Sequence, residues 1–364
     1  HFSGQLPVHL FDLLDLQYLD LHDNSLFGNI PWQISQLSSL RSIDLSSNRF
    51  SGDLPSSISS CQNLSLVNFS FNQFQGSIPP EWALLSNLST LDLDSNALYG
   101  SVPSAIANCS KLSVLILQQN SFTGSILASL GSLSRLTILS LAGNRFSGPI
   151  PSSLFNSTSL LLLNLSSNDL TGSLSPFFGL SSLQQLDFGN NDLSGAIPPS
   201  LGNLSNLVYL SLSKNSLSGP IPSSLGDNLR QLQFINFSRN ALTGDIPSSL
   251  LFSSNLQVVD LESNKFSSFS PSALGSLTQL RVLSLAGNLL SGTISIELSR
   301  LINLQSLDLS RNNLSGDVPT FVLSWKGLTS LSLSSNSVSS YLLSQNSLLP
   351  TDLEWISLAI GSES

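Results

Sequence analysis

The chain has 364 residues, 41% of them apolar and only 10% charged, with a net charge of −9 and a pI near 4.6. So much Leu, Ile, Val and Phe excludes disorder, and an acidic balance without a Lys/Arg cluster to make a basic stripe excludes a nucleic-acid footprint. No apolar run approaches the roughly 18 residues a membrane helix needs; none exceeds four residues, and one of these, Leu160 to Leu163, lies inside a repeat.

The first residues, His1-Phe2-Ser3-Gly4-Gln5-Leu6-Pro7, already read as the tail of a unit. With no signal peptide and no Met, the chain is expected to be a fragment, with any membrane anchor outside it. The pattern L-x-x-L-x-L-x-x-N then recurs, placing its Asn at positions 24, 48, 72, 96, 120, 144, 168, 191, 215, 240, 264, 288, 312 and 336. The step is 24 residues, with one of 23 and one of 25, and a second 25 if a degenerate last copy is counted. A unit of this size cannot bury its apolar face alone, so the copies must stack.

Within each unit, alternation such as Leu19-Asp20-Leu21 or Leu307-Asp308-Leu309 predicts a short strand with Leu inward. Neighbouring copies should pair into one parallel sheet whose outward residues line a concave face. The repeated Asn suits a turn where its amide satisfies backbone groups of adjacent coils. Four residues later comes Gly in most copies, as a turn with φ > 0 demands, and often a Pro three residues beyond, as at Gly219 and Pro222. Ser268 and Ser340 replace the Gly, while Leu127, Ser175, Ser295 and Leu343 replace the Pro, so these coils should be less regular. The short step falls at Ser175-Pro176-Phe177-Phe178 and the long one near Asp227-Asn228, each absorbed in a loop away from the sheet. The last copy runs Leu353-Glu354-Trp355-Ile356-Ser357-Leu358 to Gly361, where the Asn is missing.

Cys61 and Cys109 stand 48 residues apart, in the column where other copies carry Leu37, Leu85 and Leu133. Two strand spacings, roughly 9–10 Å, exceed the reach of a disulfide, so both read as small buried hydrophobes. Sequons at Asn63, Asn68, Asn87, Asn108, Asn156, Asn164, Asn203, Asn236 and Asn313 suit passage through the secretory pathway. Asn68, Asn164 and Asn236 fall on the outward middle of a strand, where a glycan would obstruct the concave face and leave clearer windows at 92–144 and beyond 260.

Ser is the usual outward residue before the repeat Asn, and three clusters depart from it. Asp20, His22, Asp23, Asp44, Asp92 and Asp94 form an acidic strip suited to a basic partner, a cation or simply water. Val114, Ile116, Ile138 and Leu162 expose branched apolar groups beside Gln118 and Gln119, surface of the kind that marks a partner site unless neighbouring strands shield it. Tyr209, Lys214, Phe234 and Arg239, with Glu262 and Arg311 further along, combine aromatic anchors with charge. The candidate ligand-binding residues are therefore Ile116, Gln118, Ile138, Tyr209, Lys214, Phe234, Arg239 and Glu262.

Segments such as Phe146-Ser147-Gly148-Pro149-Ile150-Pro151 and Leu193-Ser194-Gly195-Ala196-Ile197-Pro198, following the Asn motif at fixed spacing along essentially the whole chain, resemble the plant-specific leucine-rich repeat. The resemblance implies an α/β leucine-rich-repeat solenoid: a curved right-handed superhelix with a parallel concave β-sheet and a convex side of short 3-10 turns and loops. It implies one domain over 1–364, with about fourteen 24-residue repeats and partial repeats at both ends. Family members are mostly ectodomains of plant receptor-like kinases and receptor-like proteins, so the resemblance implies an extracellular domain at the plasma membrane. Its partners would be a peptide or protein ligand and a shorter leucine-rich-repeat co-receptor, with no cofactor and no metal.

Three departures narrow this. No insertion interrupts the array, so the island by which steroid-binding relatives hold their hormone is absent. The Arg-x-Arg pair that grips a peptide carboxylate in some relatives is here Ser238-Arg239. Polygalacturonase-inhibiting relatives, the alternative, use about ten repeats with Cys caps. An ice-binding role would need flat hydroxyl ladders, which outward Phe, Leu and Asp spoil. Catalysis is disfavoured: the three His are His1, His9 and His22, no oriented Ser-His-Asp arrangement is in view, and no Gly-rich phosphate loop with its Lys occurs.

Overall fold

The computed structural model describes residues 1–339 and 355–357. The chain forms two compact units, residues 1–172 and 173–364. In the first, every coil has three sides. One is a three-residue strand, from Tyr18–Asp20 through Val114–Ile116 to Leu162–Asn164, paired in parallel with partners 24 residues away, as in Ser42 with Leu66. The middle residue of each points inward and is buried; the flanking two face out.

The second side corrects the expectation of one sheet. Residues after the repeat Asn, such as Arg49–Asp53, Gln73–Gly76 and Arg145–Pro149, form their own parallel ladder, with Ser51 opposite Gln73. The Leu/Phe-x-Gly segment is thus a strand. Its Gly takes φ near +80° (Gly52 +79°, Gly76 +78°), which only glycine adopts cheaply.

The third side is a 3-10 turn, from Val8–Asp12 to Ser152–Asn156. Pro at its N-cap pre-sets φ (Pro103, −61°). Leu127 adopts nearly the same angles as Pro103, so the irregularity expected from the lost Pro does not occur.

The core is a stack of Leu columns with an aromatic spine. Phe50 lies over Phe74 (centroids 6.2 Å apart) and Phe122 over Phe146 (6.3 Å), all fully buried or nearly so. Cys61 and Cys109 are free, fully buried and, as expected, in the Leu column; the Cys61 thiol donates to the Ile34 carbonyl (3.2 Å), and burial pushes both thiols up to about 11.

The second unit repeats the plan, with inner strands from Gln185–Asp187 to Ser330–Ser332, the last pairing with Trp355–Ser357. Residues 174–178 form no 3-10 turn, which is where the missing residue is absorbed. The extra residue converts the next-but-one turn into an α-turn, Ser224–Asn228. Opposite Ser268, the copy without Gly, the second ladder slips register between Gly244 and Asp245. Ser295 keeps Pro-like angles (φ −77°, ψ 145°) and a regular turn follows. Ser340, Leu343 and the rest of the last copy lie outside the described residues.

Candidate functional site

Each inner coil offers four outward rows: the first and third strand residues, and then the two residues before the repeat Asn. The repeat Asn holds them in place. Asn144 is 9% exposed; its Nδ2 donates to the carbonyls of Leu117 one coil back (3.0 Å), Leu141 and Ala142, while its Oδ1 accepts the Phe122 amide (2.9 Å). The same set recurs at Asn48, Asn168 and Asn264.

The second row is mostly Asp or Asn for a structural reason. Their Oδ1 accepts the backbone N–H two residues on and ends the strand, as Asp44 does to Ser46 (2.9 Å), Asn68 to Ser70 (3.1 Å) and Asp92 to Asp94 (3.0 Å). The expected acidic strip is largely this cap. His22 sits on Asp20 (Nδ1 to Oδ1, 2.7 Å); that hydrogen bond holds the Asp20 carboxyl low and the imidazole high. Burial pushes Asp92 up to about 6. No group of His, Cys, Asp and Glu that could hold a metal ion occurs among the described residues.

The fourth row was not legible as backbone. Twelve non-glycine residues, Phe71, Lys214, Arg239 and Arg311 among them, have φ between +50° and +56°, and Gly143 and Gly287 complete the row. The signal available was compositional: two Gly and no Val, Ile, Thr or Leu in the column.

In the first unit, Val114, Ile138 and Leu162 are register partners in the first row, and Ile116 stands in the second row between Asp92 and Ser140. All four are half-buried. Ile116 is the one aliphatic in that row among the described residues and caps nothing. Gln118 is spoken for: Nε2 donates to Asp94 (2.8 Å) and Oε1 accepts from Ser140 (2.6 Å), a bridge across three coils.

In the second unit, Tyr209 and Phe234 stack face to face (centroids 4.4 Å, planes 5° apart), and the Tyr209 hydroxyl reaches Asp187 (3.4 Å). Burial first, then the Asp187 charge, pushes that phenol up to about 12. Lys214 and Arg239 do not join the pair on the strands, as the sequence suggested; they stand exposed in the fourth row, past the strand ends. Glu262 is engaged by Arg311 two coils on (2.8 Å). Structure therefore unites Tyr209 with Phe234 and Glu262 with Arg311, and sets the two cations apart.

Of the sequon residues, Asn63, Asn108, Asn156, Asn203 and Asn313 are exposed and Asn68, Asn87, Asn164 and Asn236 half-buried. Asn68, Asn164 and Asn236 lie in the second row, where each Oδ1 is a cap.

No helix among the described residues is long and apolar enough to cross a membrane. Leucine-rich-repeat models match residues 15–37, 39–61, 86–146, 182–204, 206–228, 230–290 and 278–323. No curated protein matches. Among solved structures, the chain is similar to the ectodomain of the plant membrane receptor kinase GASSHO1/SCHENGEN3 from Arabidopsis thaliana in complex with CASPARIAN STRIP INTEGRITY FACTOR 2. Identity there is 34%, over 98% of this chain and 43% of that one, with a TM-score of 0.90. It is similar to the Arabidopsis receptor kinase HAESA in complex with the peptide hormone IDA and the co-receptor SERK1 (28% identity, 98% and 68%, TM-score 0.73). A plant ice-binding protein matches less of it (30% identity, 67% and 71%, TM-score 0.50). The chain thus spans less than half of the first of these ectodomains. Its repeat spacing, its Asn ladders and these matches make it a member of the leucine-rich-repeat family.

Proposed function

We propose that the chain is the extracellular ligand-recognition domain of a plant receptor-like kinase or receptor-like protein, working at the outer face of the plasma membrane. It binds a peptide or protein ligand on its outward strand rows, with a shorter leucine-rich-repeat co-receptor as second partner. The observation that carries this is the stacked Tyr209–Phe234 pair, half-buried in a row where neighbouring coils need no aromatic. Aromatic anchors at low entropic cost are what partner surfaces use. Support comes from relatives solved with CASPARIAN STRIP INTEGRITY FACTOR 2 and with IDA and SERK1. The whole chain, 1–364, acts here as one recognition domain with no catalytic step of its own.

The test is a panel of synthetic secreted-type peptides titrated calorimetrically against the intact chain, alongside Tyr209→Ala and Ile116→Asn. Asn is chosen at 116 because Asn68 and Asn164 already cap that row without harm to the fold. A bound peptide should weaken at least roughly tenfold in one or both variants. Full affinity in both removes the ligand from these rows, and inhibition of a fungal polygalacturonase would favour the cell-wall inhibitor alternative.

A further inference from the structure

The sequence shows no cluster of Lys and Arg, yet stacking makes one. In the first unit, on the flank where the chain enters each inner strand, a groove of about 400 Å³ is lined by Arg41, Lys111 and Arg135 with Ser65, Ser89, Asn63 and Asn87 between them. No carboxylate lines it, and none of the three cations forms an ion pair among the described residues. In a chain of net charge −9, three uncompensated cations converging on one groove are an attractor for an anion.

The floor restricts the kind of anion. Both hydroxyl donors and one N–H of each amide are already used inside the protein: Ser65 Oγ donates to the Arg41 carbonyl (2.9 Å), Ser89 Oγ to the Ser65 carbonyl (2.8 Å), Asn63 Nδ2 to Ser38 (3.0 Å) and Asn87 Nδ2 to Gln62 (2.9 Å). Hydroxyl oxygens keep acceptor capacity after donating and each Asn amide keeps a second N–H, so the floor offers mainly acceptors with a few donors, the mix that sugar hydroxyls match, repeated once per coil at about 4.8 Å, comparable to the length of one sugar ring. Lys111 Nζ is held over the floor by Asn87 Oδ1 (2.6 Å). Arg41 stands three coils from Lys111, about 14 Å, and Arg135 one coil beyond. No apolar side chain lines the groove, as a peptide's side chains would require.

We propose that this groove binds a carboxylate-bearing oligosaccharide, its hydroxyls on the Ser and Asn floor and its carboxylates on Arg41, Lys111 and Arg135. It is separate from the ligand rows of the proposed receptor function and stands or falls independently of them.

The test uses the intact chain, with any N-glycans trimmed to their first sugar because Asn63 and Asn87 are sequons, in EDTA. Fully de-esterified decagalacturonate is titrated by calorimetry against its methyl ester of equal length and against deca-glutamate. The acid form should bind, weakening at least roughly tenfold in Lys111→Glu and Arg135→Glu, less in Lys111→Gln, and falling as salt is raised. Unchanged melting temperatures in the Gln variant separate lost binding from lost fold. Absent binding, equal binding of the ester, or indifference to all three variants overturns the proposal, and deca-glutamate binding as tightly reassigns the groove to an acidic peptide.

Discussion

Asp92 is where pH enters this molecule most directly. Burial lifts its carboxyl to about 6, well above an unfolded aspartate. A folded pKa that is raised means that the folded state holds the proton more tightly. The contribution to stability is therefore complete below the unfolded value, near 3.8, and is lost as pH rises through 6. Asp92→Asn keeps the cap to the Asp94 amide, as Asn68 shows one coil earlier, and removes the titration. The variant should be the more stable at pH 7.5, by about 1–2 kcal/mol once solvent access to the site is allowed for, with the difference closing by pH 4. Urea melts of both proteins at three pH values decide it; a pH-independent difference would remove Asp92 as the cause. The fourth row makes a second point at this scale. Arg239, at φ +55°, occupies a conformation that costs a side chain about 1–2 kcal/mol and a glycine little. Arg239→Gly should raise stability by up to about 1 kcal/mol, less the entropy glycine loses, while weakening any ligand that uses the guanidinium. A substitution that destabilises the fold would mean that Arg239 is held there by packing and not by function.

At the scale of the element, the coil is closed by its Asn. Removing the Asn144 side chain strands the Phe122 amide and the Leu117 carbonyl, both buried, at about 1–3 kcal/mol each. Asn144→Ala should speed amide exchange at Phe122 by at least roughly tenfold while Phe50, three coils from Phe122, is unaffected; equal protection at Phe122 would show that water replaces the amide. How much of this was legible follows from what each side of the coil needs. Strand and Asn turn were written in fixed-spacing residues, because each has one dominant chemical demand: Leu inward, and an amide that both donates and accepts; the 3-10 turn followed from the family resemblance alone, and Leu127 and Ser295 start it as Pro does. The second ladder was not, because Arg49–Asp53 or Gln73–Gly76 reads as a Gly-containing loop until a neighbour supplies its pairing partners. The left-handed row was hidden because Lys214 and Arg239 hide in side-chain terms what Gly143 reveals. Candidate site residues were legible as outliers in their columns, which located Ile116, Tyr209 and Phe234. Their grouping was not, since Lys214 and Arg239 lie past the strand ends, and the basic groove needed three residues 24 to 94 positions apart in the chain to be brought side by side.

Among the described residues, strand pairing runs between neighbouring coils. The strand Val114–Ile116 pairs with Thr90–Asp92 and with Ile138–Ser140, and the turn Ala128–Ser132 packs on Ser152–Asn156. Stability in such an array is close to a sum of coil terms and nearest-neighbour terms, so a lesion should be felt locally instead of everywhere. Leu115, fully buried at the centre of its strand, is a suitable place to make one. Leu115→Ala should cost about 2–5 kcal/mol at that coil, because the columns above and below hold the cavity open. Hydrogen exchange read by mass spectrometry should then show lost protection over the flanking inner strands, Thr90–Asp92 and Ile138–Ser140. Protection at Ser42–Asp44, three coils away within the same unit, should stay as in the parent. If exchange instead accelerates uniformly through residues 1–172, the unit unfolds as a single cooperative block. The ligand rows would then be coupled to every coil in it, and a bound partner would stiffen the unit throughout, not only beneath its own footprint.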